Sequence, residues 1–352
     1  MQRLAFAIAS GLAARGLATV SSPALEDVHG LAASDPDALL AEIRASPLRA
    51  AVLREVAEPA AAEATGNLPT VTAHGMGDSC FEPGFHSITR AIGKKTGSYA
   101  RCIPTGGNIV TDTINGYLKN MDSSVDVFAA KIKADPKLSG GFNAIGFSQG
   151  NSLIRGYIQK YNDPPVRAFV SVHGTVMGVA AFPSCFEQGK PLGLMCRMVA
   201  EVLGDIAYNP LSQHVLFQAD YYRAANMENS SAYLKHSEIA HWNNEDPSTA
   251  NATYKENFAK TQKFVMVKAL KDSMVYPNEG EHWGSLDGYQ QPLPMKSTRL
   301  YKEDLFGLKT ADEAGKIVFE TTAGGHLDFT DEELFGWVEK YFVGTGHEAL
   351  VV

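Results

Sequence analysis

Residues 142–155 read F-N-A-I-G-F-S-Q-G-N-S-L-I-R. A largely apolar run ends at G-F-S-Q-G, and a helical stripe of Leu153, Ile154, Tyr157, Ile158 and Tyr161 begins at once. A strand that runs straight into an amphipathic helix commits the chain to layers, with the helix packed back on a sheet. The pentapeptide 146–150 also fits G-x-S-x-G. In that device the glycines remove side chains from a turn too tight to hold them, and the serine sits at strained backbone angles with its hydroxyl exposed. An ordinary glycine turn is the alternative. The strand before it and the helix after it favour the device.

The same alternation runs along the chain from Leu68. Strands are expected at L-P-T-V-T-A (68–73), A-R-C-I-P (100–104), F-N-A-I-G-F (142–147) and V-R-A-F-V-S-V (166–172), with helices over 84–95, 123–134 and Asn151–Tyr161 between them. Strands separated by helices of this length make a mostly parallel sheet covered on both faces. After Gly174 the alternation stops for about 85 residues. It resumes with strands at 263–270 and 316–322. The middle block, about 175–260, reads as a helical cap inserted between two halves of one sheet. It includes an apolar helix with Met195, Met198, Val199, Val202, Leu203 and Ile206.

A serine hydroxyl becomes a useful nucleophile only when a base takes its proton. In this architecture an acid and then a histidine follow the serine in the chain, each just past a strand. The strand 263–270 is followed by K-D-S-M-V-Y-P, which offers Asp272. The strand 316–322 is followed by A-G-G-H, which offers His326, and the helix after it opens with a capping-box pattern of Thr330 and Glu333. His282 lies in a polar loop and His347 in the tail, so neither has this placement. The expected triad is Ser148, Asp272 and His326. The oxyanion that forms on attack needs two backbone donors. Gln149 follows the serine, and Met76 lies between Gly75 and Gly77 in the loop A-H-G-M-G-D-S-C after the first strand. Asp78 is expected to brace that loop.

The formal net charge is −8, which argues against nucleic acid as a partner. No run of 18 or more apolar residues predicts a membrane span. Residues 1–18 have the form of a signal peptide: Arg3, an apolar stretch from Leu4 to Ala14, and Gly16 and Ala18 before the cut. An Ala-rich helix or a transit peptide is the other reading. Residues 19–66 form an extension or pro-segment, 67–343 the catalytic domain, and 344–352 a tail. The chain has four cysteines and no C-x-x-C. Cys185 and Cys196 could close a small loop, worth about 3 kcal/mol. Cys80 and Cys102 would then be left to pair, and four reduced thiols remain the alternative. Sequons stand at Asn229 and Asn251.

Several stretches resemble the palmitoyl-protein thioesterase family. They are H-G-M-G-D-S-C at 74–80, D-P-K-L at 135–138, G-F-N-A-I-G-F-S-Q-G at 141–150, P-P-V-R-A-F-V-S-V-H-G at 164–174, K-F-V-M-V-K-A-L-K-D-S at 263–273 and G-H-L at 325–327. The resemblance implies an α/β-hydrolase fold with an inserted cap. It places the nucleophile on Ser148, the acid on Asp272, the base on His326 and the oxyanion amides on Met76 and Gln149. The Cys185–Cys196 pair and the Asn251 sequon are similar to family features. Departures are Tyr276 where a second aspartate is common, His173 where glycine is usual, and a patchy match over 174–250. What the resemblance implies is removal of long acyl chains from S-acylated cysteines of proteins or peptides, with acyl-CoA as a further substrate, in the secretory pathway and lysosome. No metal or organic cofactor is implied, and a monomer is expected. A lipase or carboxylesterase acting on oxygen esters is the main alternative. A non-catalytic binding protein would need a broken triad.

Overall fold

The computed structural model describes residues 66–181, 206–224 and 228–344. The expected signal peptide at 1–18, the extension at 19–65, Cys185 and Cys196, most of the apolar cap helix and the tail from 345 lie outside these residues.

Among the described residues six strands make one sheet: β1 (Thr70–Ala73), β2 (Ala100–Cys102), β3 (Phe142–Phe147), β4 (Val166–Val172), β5 (Lys263–Ala269) and β6 (Ile317–Thr322). Their order is β2-β1-β3-β4-β5-β6, and every pairing is parallel. This is the fold class expected from the alternation. Helices α1 (Pro83–Thr96), α2 (Ile109–Leu118), α3 (Met121–Lys133), α4 (Gly150–Lys160), α5 (Ala252–Lys260) and α6 (Asp331–Phe342) supply the main covering layers. Shorter helical turns at 210–215, 217–220, 231–236 and 238–242 occupy the inserted block.

Strand residues alternate between two apolar layers, as a sheet covered on both sides requires. Ile145 and Phe147 of β3 line up with Val170 and Val172 of β4, and these with Val265 and Val267 of β5. That row packs on Phe85 and Ile92 of α1 and on Leu334, Trp337, Val338 and Phe342 of α6. The opposite row holds Phe142 against Tyr157 of α4, and Phe264 stacked on Phe258 of α5 at 4.3 Å. Each such side chain buried contributes roughly 1.5–3 kcal/mol. The capping box at α6 is present: the Glu333 amide donates to Thr330 Oγ1 at 3.1 Å, and the Thr330 amide to Glu333 Oε2 at 2.7 Å.

The order reverses at β1, which has β2 on one side and β3 on the other. Ligand sites in open parallel sheets form outside the carboxyl ends of the strands at such a point. Here the register pairs Ala73 with Gly146, so the loops after β1 and β3 leave the sheet side by side. Among the described residues no helix is long and apolar enough to cross a membrane.

Candidate active site

Ser148 follows β3 directly, with φ of 54°, in the left-handed region that a residue with a Cβ seldom adopts. The neighbouring glycines explain how the turn closes. A Cβ on Gly146 would stand 2.4 Å from Asn151 Oδ1, and one on Gly150 would stand 2.4 Å from the Ala73 carbonyl oxygen. The second contact is with backbone, which cannot swing away. Gly150→Ala is therefore expected to cost about 1–3 kcal/mol, read as a lower midpoint in a urea or thermal unfolding curve. A midpoint equal to that of the parent chain would contradict the closeness of β1 to α4.

Asp272 and His326 arrive from adjacent strands. Ala269 of β5 pairs with Thr322 of β6, and the Leu270 and Lys271 amides donate to the Thr322 and Gly324 carbonyls at 3.0 Å each. The two loops are thus tied together before either side chain is presented. His326 Nδ1 lies 2.6 Å from Asp272 Oδ2, and His326 Nε2 lies 2.8 Å from Ser148 Oγ. Ser148 and Asp272 are buried, and the His326 side chain is 17% exposed. Asp272 Oδ1 accepts the Met274 and Val275 amides at 2.6 and 3.0 Å. Burial alone would raise the Asp272 carboxyl. Hydrogen bonds from His326, Glu281 and the Met274 amide outweigh it and hold the group well below the usual carboxylate range.

The loop after β1 runs beside Ser148. A Cβ on Gly75 would stand 3.2 Å from Ser148 Cβ. Met76, half-buried, follows Gly75, and Gln149 opens α4. Gly77, with φ of 76°, turns the chain back after Met76. Asp78 accepts the adjacent Ser79 amide, at 2.8 Å, and no longer-range bond among the described residues. The long-range brace is Asp112 of α2. It accepts Ser79 Oγ and the Cys80 amide at 2.9 Å each, together with the Thr105 and Gly106 amides at 2.7 and 2.9 Å. It also lies 3.2 Å from His74 Nε2. Burial works against both charges. Their mutual contact prevails, raising His74 above the ordinary histidine value and holding Asp112 well below the carboxylate range. The Cys80–Cys102 disulfide, with Cα atoms 5.5 Å apart, ties the same loop to the end of β2.

Three further features had no sequence motif. The Gln149 side chain donates to the Gly116 carbonyl at 2.8 Å, and its Oε1 accepts from Gln218 Nε2 at 2.7 Å and Tyr221 Oη at 3.1 Å. The inserted block therefore clamps the residue after the serine. Glu281, fully buried behind Asp272, accepts the Ala269 amide at 2.7 Å and hydrogen-bonds the Asp272 carboxyl. Burial, then the Asp272 carboxylate, push Glu281 up to about 11, so it is a neutral acid at working pH. His173, next to β4, bonds the loop that bears His326. Only the Asn108 and Thr111 pattern that caps α2 carried a local sign of the Asp112 brace.

Two clusters of metal-ligating side chains occur among the described residues. In His74–Cys80–Asp112 the sulfur is committed to the disulfide. In His173–Asp272–His326 the ring nitrogens are all in hydrogen bonds. Asn229 and Asn251 are both exposed.

A parallel sheet in this order, a serine turn at the switch point, and acid and histidine loops past the last two strands define a hydrolase of the α/β-hydrolase fold. Comparison with known proteins narrows the class. The family model for palmitoyl protein thioesterase matches residues 69–326. Palmitoyl-protein thioesterase 1 of Caenorhabditis elegans is 36% identical over 286 residues, covering 80% of this chain and 93% of that protein. Palmitoyl-protein thioesterase 3 of Dictyostelium discoideum is 34% identical, covering 67% and 76%. Lysosomal thioesterase PPT2 of Homo sapiens is 24% identical, covering 73% and 80%. The chain belongs to the palmitoyl protein thioesterase family, a family of acyl thioester hydrolases.

Proposed function

We propose that this protein hydrolyses long-chain acyl thioesters on cysteine side chains of proteins or peptides through an acyl-enzyme on Ser148. The observation that carries the reading is the unbroken chain from Ser148 Oγ to His326 at 2.8 Å and from His326 to Asp272 at 2.6 Å. Ser148 Oγ attacks the thioester carbonyl carbon while His326 Nε2 takes its proton. The Asp272 carboxylate holds the ring with Nδ1–H toward it and stabilises the imidazolium that forms. The Met76 and Gln149 amides receive the oxyanion. The C–S bond then breaks, His326 returns the proton to the departing sulfur, and water attacks the acyl-serine by the reverse route. A thiol has a pKa near 8.5, so the sulfur leaves readily, and the acyl-serine is the bond that most needs the base.

Acyl-CoA presents the same thioester and is expected to be turned over as well. The exposed sequons and the disulfide suit an oxidising compartment. Together with relatives named as lysosomal thioesterases, they support a place in the secretory pathway and lysosome. The test is turnover of a palmitoyl-cysteine peptide against the matched palmitoyl-serine peptide by purified protein. The thioester is expected to show kcat/KM higher by about tenfold or more, about 1.4 kcal/mol in transition-state binding. Equal or better turnover of the oxygen ester would establish the lipase or carboxylesterase reading instead.

A further inference from the structure

β6 is three strands away from β3, roughly 14 Å at ordinary strand spacing. The loop carrying His326 must cross the ends of β5 and β4 to bring its ring to Ser148. His173 is the first residue after β4, and its ring meets that crossing. It is fully buried, and its φ is 47°. The Leu327 amide donates to His173 Nδ1 at 2.9 Å, so Nδ1 bears no proton. The single proton of the neutral ring is therefore on Nε2, which donates to Thr322 Oγ1 at 2.9 Å. Thr322 ends β6, and Leu327 immediately follows His326. One imidazole thus holds the loop at its start and just past its functional residue. The His173 ring lies 6.2 Å from that of His326 and 6.0 Å from Phe329. The titratable groups facing it are His326 and Asp272. Burial, then His326, push His173 down to about 4, against an upward pull from Asp272. The ring accordingly remains an acceptor at Nδ1 in neutral and mildly acidic solution.

We propose that His173 is a positioning residue for hydrolysis, whose neutral ring sets the approach of His326 Nε2 to Ser148 Oγ by bonding both Thr322 and Leu327. The inference rests on His326 being the base. A misplacement of about 1 Å at such a contact can cost about a hundredfold in rate.

Two substitutions suit the backbone angle. His173→Gly removes the ring and takes up a positive φ without strain. His173→Asn also tolerates that region and puts an amide oxygen near the place of Nδ1, keeping an acceptor for Leu327. The readouts are kcat and KM for a palmitoyl-cysteine peptide and the rate of Ser148 labelling by a fluorophosphonate, which needs the serine–histidine pair and no acyl substrate. In His173→Gly, kcat and labelling rate are expected to fall together by about 10–100-fold, with KM within about twofold. His173→Asn is expected to return both rates to within about threefold of the parent. A glycine variant as fast as the parent, or an asparagine variant as slow as the glycine one, would overturn the inference. If His173→Gly does not fold, Thr322→Val decides. It removes the partner of His173 Nε2–H and so releases the start of the loop from the ring, and labelling is expected to slow several-fold, whereas an unchanged rate is a refutation. A parent protein that labels but does not cleave the thioester fails the substrate reading alone, and the labelling comparison still decides His173. A parent that does not label fails the serine reading and this inference with it.

Discussion

Ser148→Ala is expected to lower kcat for a palmitoyl-cysteine peptide by a factor of roughly 10⁴–10⁶. The proposed acyl bond forms on this hydroxyl, and without it His326 Nε2, 2.8 Å away, has no proton to take. What would remain is the proposed oxyanion site acting on water, which gives much weaker catalysis. The fold should survive. Alanine meets the same backbone constraint at φ of 54° as serine does, so the strain is unchanged. Ser148→Gly should be equally inactive and more stable than the parent, by about 1–2 kcal/mol, because glycine removes the left-handed cost. Steady-state kinetics with unfolding curves on the three proteins check both halves. Turnover by Ser148→Ala within tenfold of the parent would end the acyl-serine reading. Inactivity with a collapsed unfolding midpoint would mean that the loss came from the fold.

Much of the sheet was legible because its signals are local. β3 and β4 fall on the expected residues, 142–147 and 166–172, since both strands are buried on two faces and read as apolar runs between turn residues. Ser148, Asp272 and His326 could be picked out because parallel topology puts functional loops at strand ends, where each motif has a fixed place. The partners that hold them were not legible. α2, at Ile109–Leu118, carries an apolar stripe of Val110, Ile114, Tyr117 and Leu118, but that stripe does not show that its Asp112 gathers donors from the distant Ser79 and Cys80 as well as from Thr105 and Gly106 just before the helix. Asp78 is the aspartate inside the motif, and among the described residues it bonds its neighbour Ser79. Gln218 and Tyr221 come from a block without periodic pattern, and Glu281 reads as one more acid in a polar loop. A buried polar group is defined by partners far away in sequence, and hydrophobic periodicity carries no record of them.

The two carboxyls behind His326 lead to the second large effect. Asp272→Asn is expected to reduce kcat about 10⁴-fold near neutral pH. The Met274 and Val275 amides both point at Oδ1, so an asparagine must place its carbonyl oxygen there. Its NH₂ group then faces His326 Nδ1, where it can only donate. That fixes the proton on Nε2, and the ring can no longer accept from Ser148. Glu281→Gln should behave differently. Because Glu281 is already neutral, an amide can keep both the Ala269 contact and a donor toward Asp272, and kcat should remain within about fivefold. Stability should separate the two side chains. The Glu281 carboxyl is raised to about 11 in the folded protein, whereas an unfolded glutamate ionises near 4.3. Its protonated state thus favours folding fully below the unfolded value, and that contribution falls as pH rises toward the folded value. The parent should lose about 1.4 kcal/mol per pH unit relative to Glu281→Gln above about pH 5. Asp272, with its folded value depressed, acts in the opposite sense and is common to both proteins, so the comparison isolates Glu281. Urea unfolding of the pair at pH 5, 6 and 7 measures the divergence. Parallel curves would show that Glu281 is ionised in the folded protein and that no proton lies between the two carboxyls.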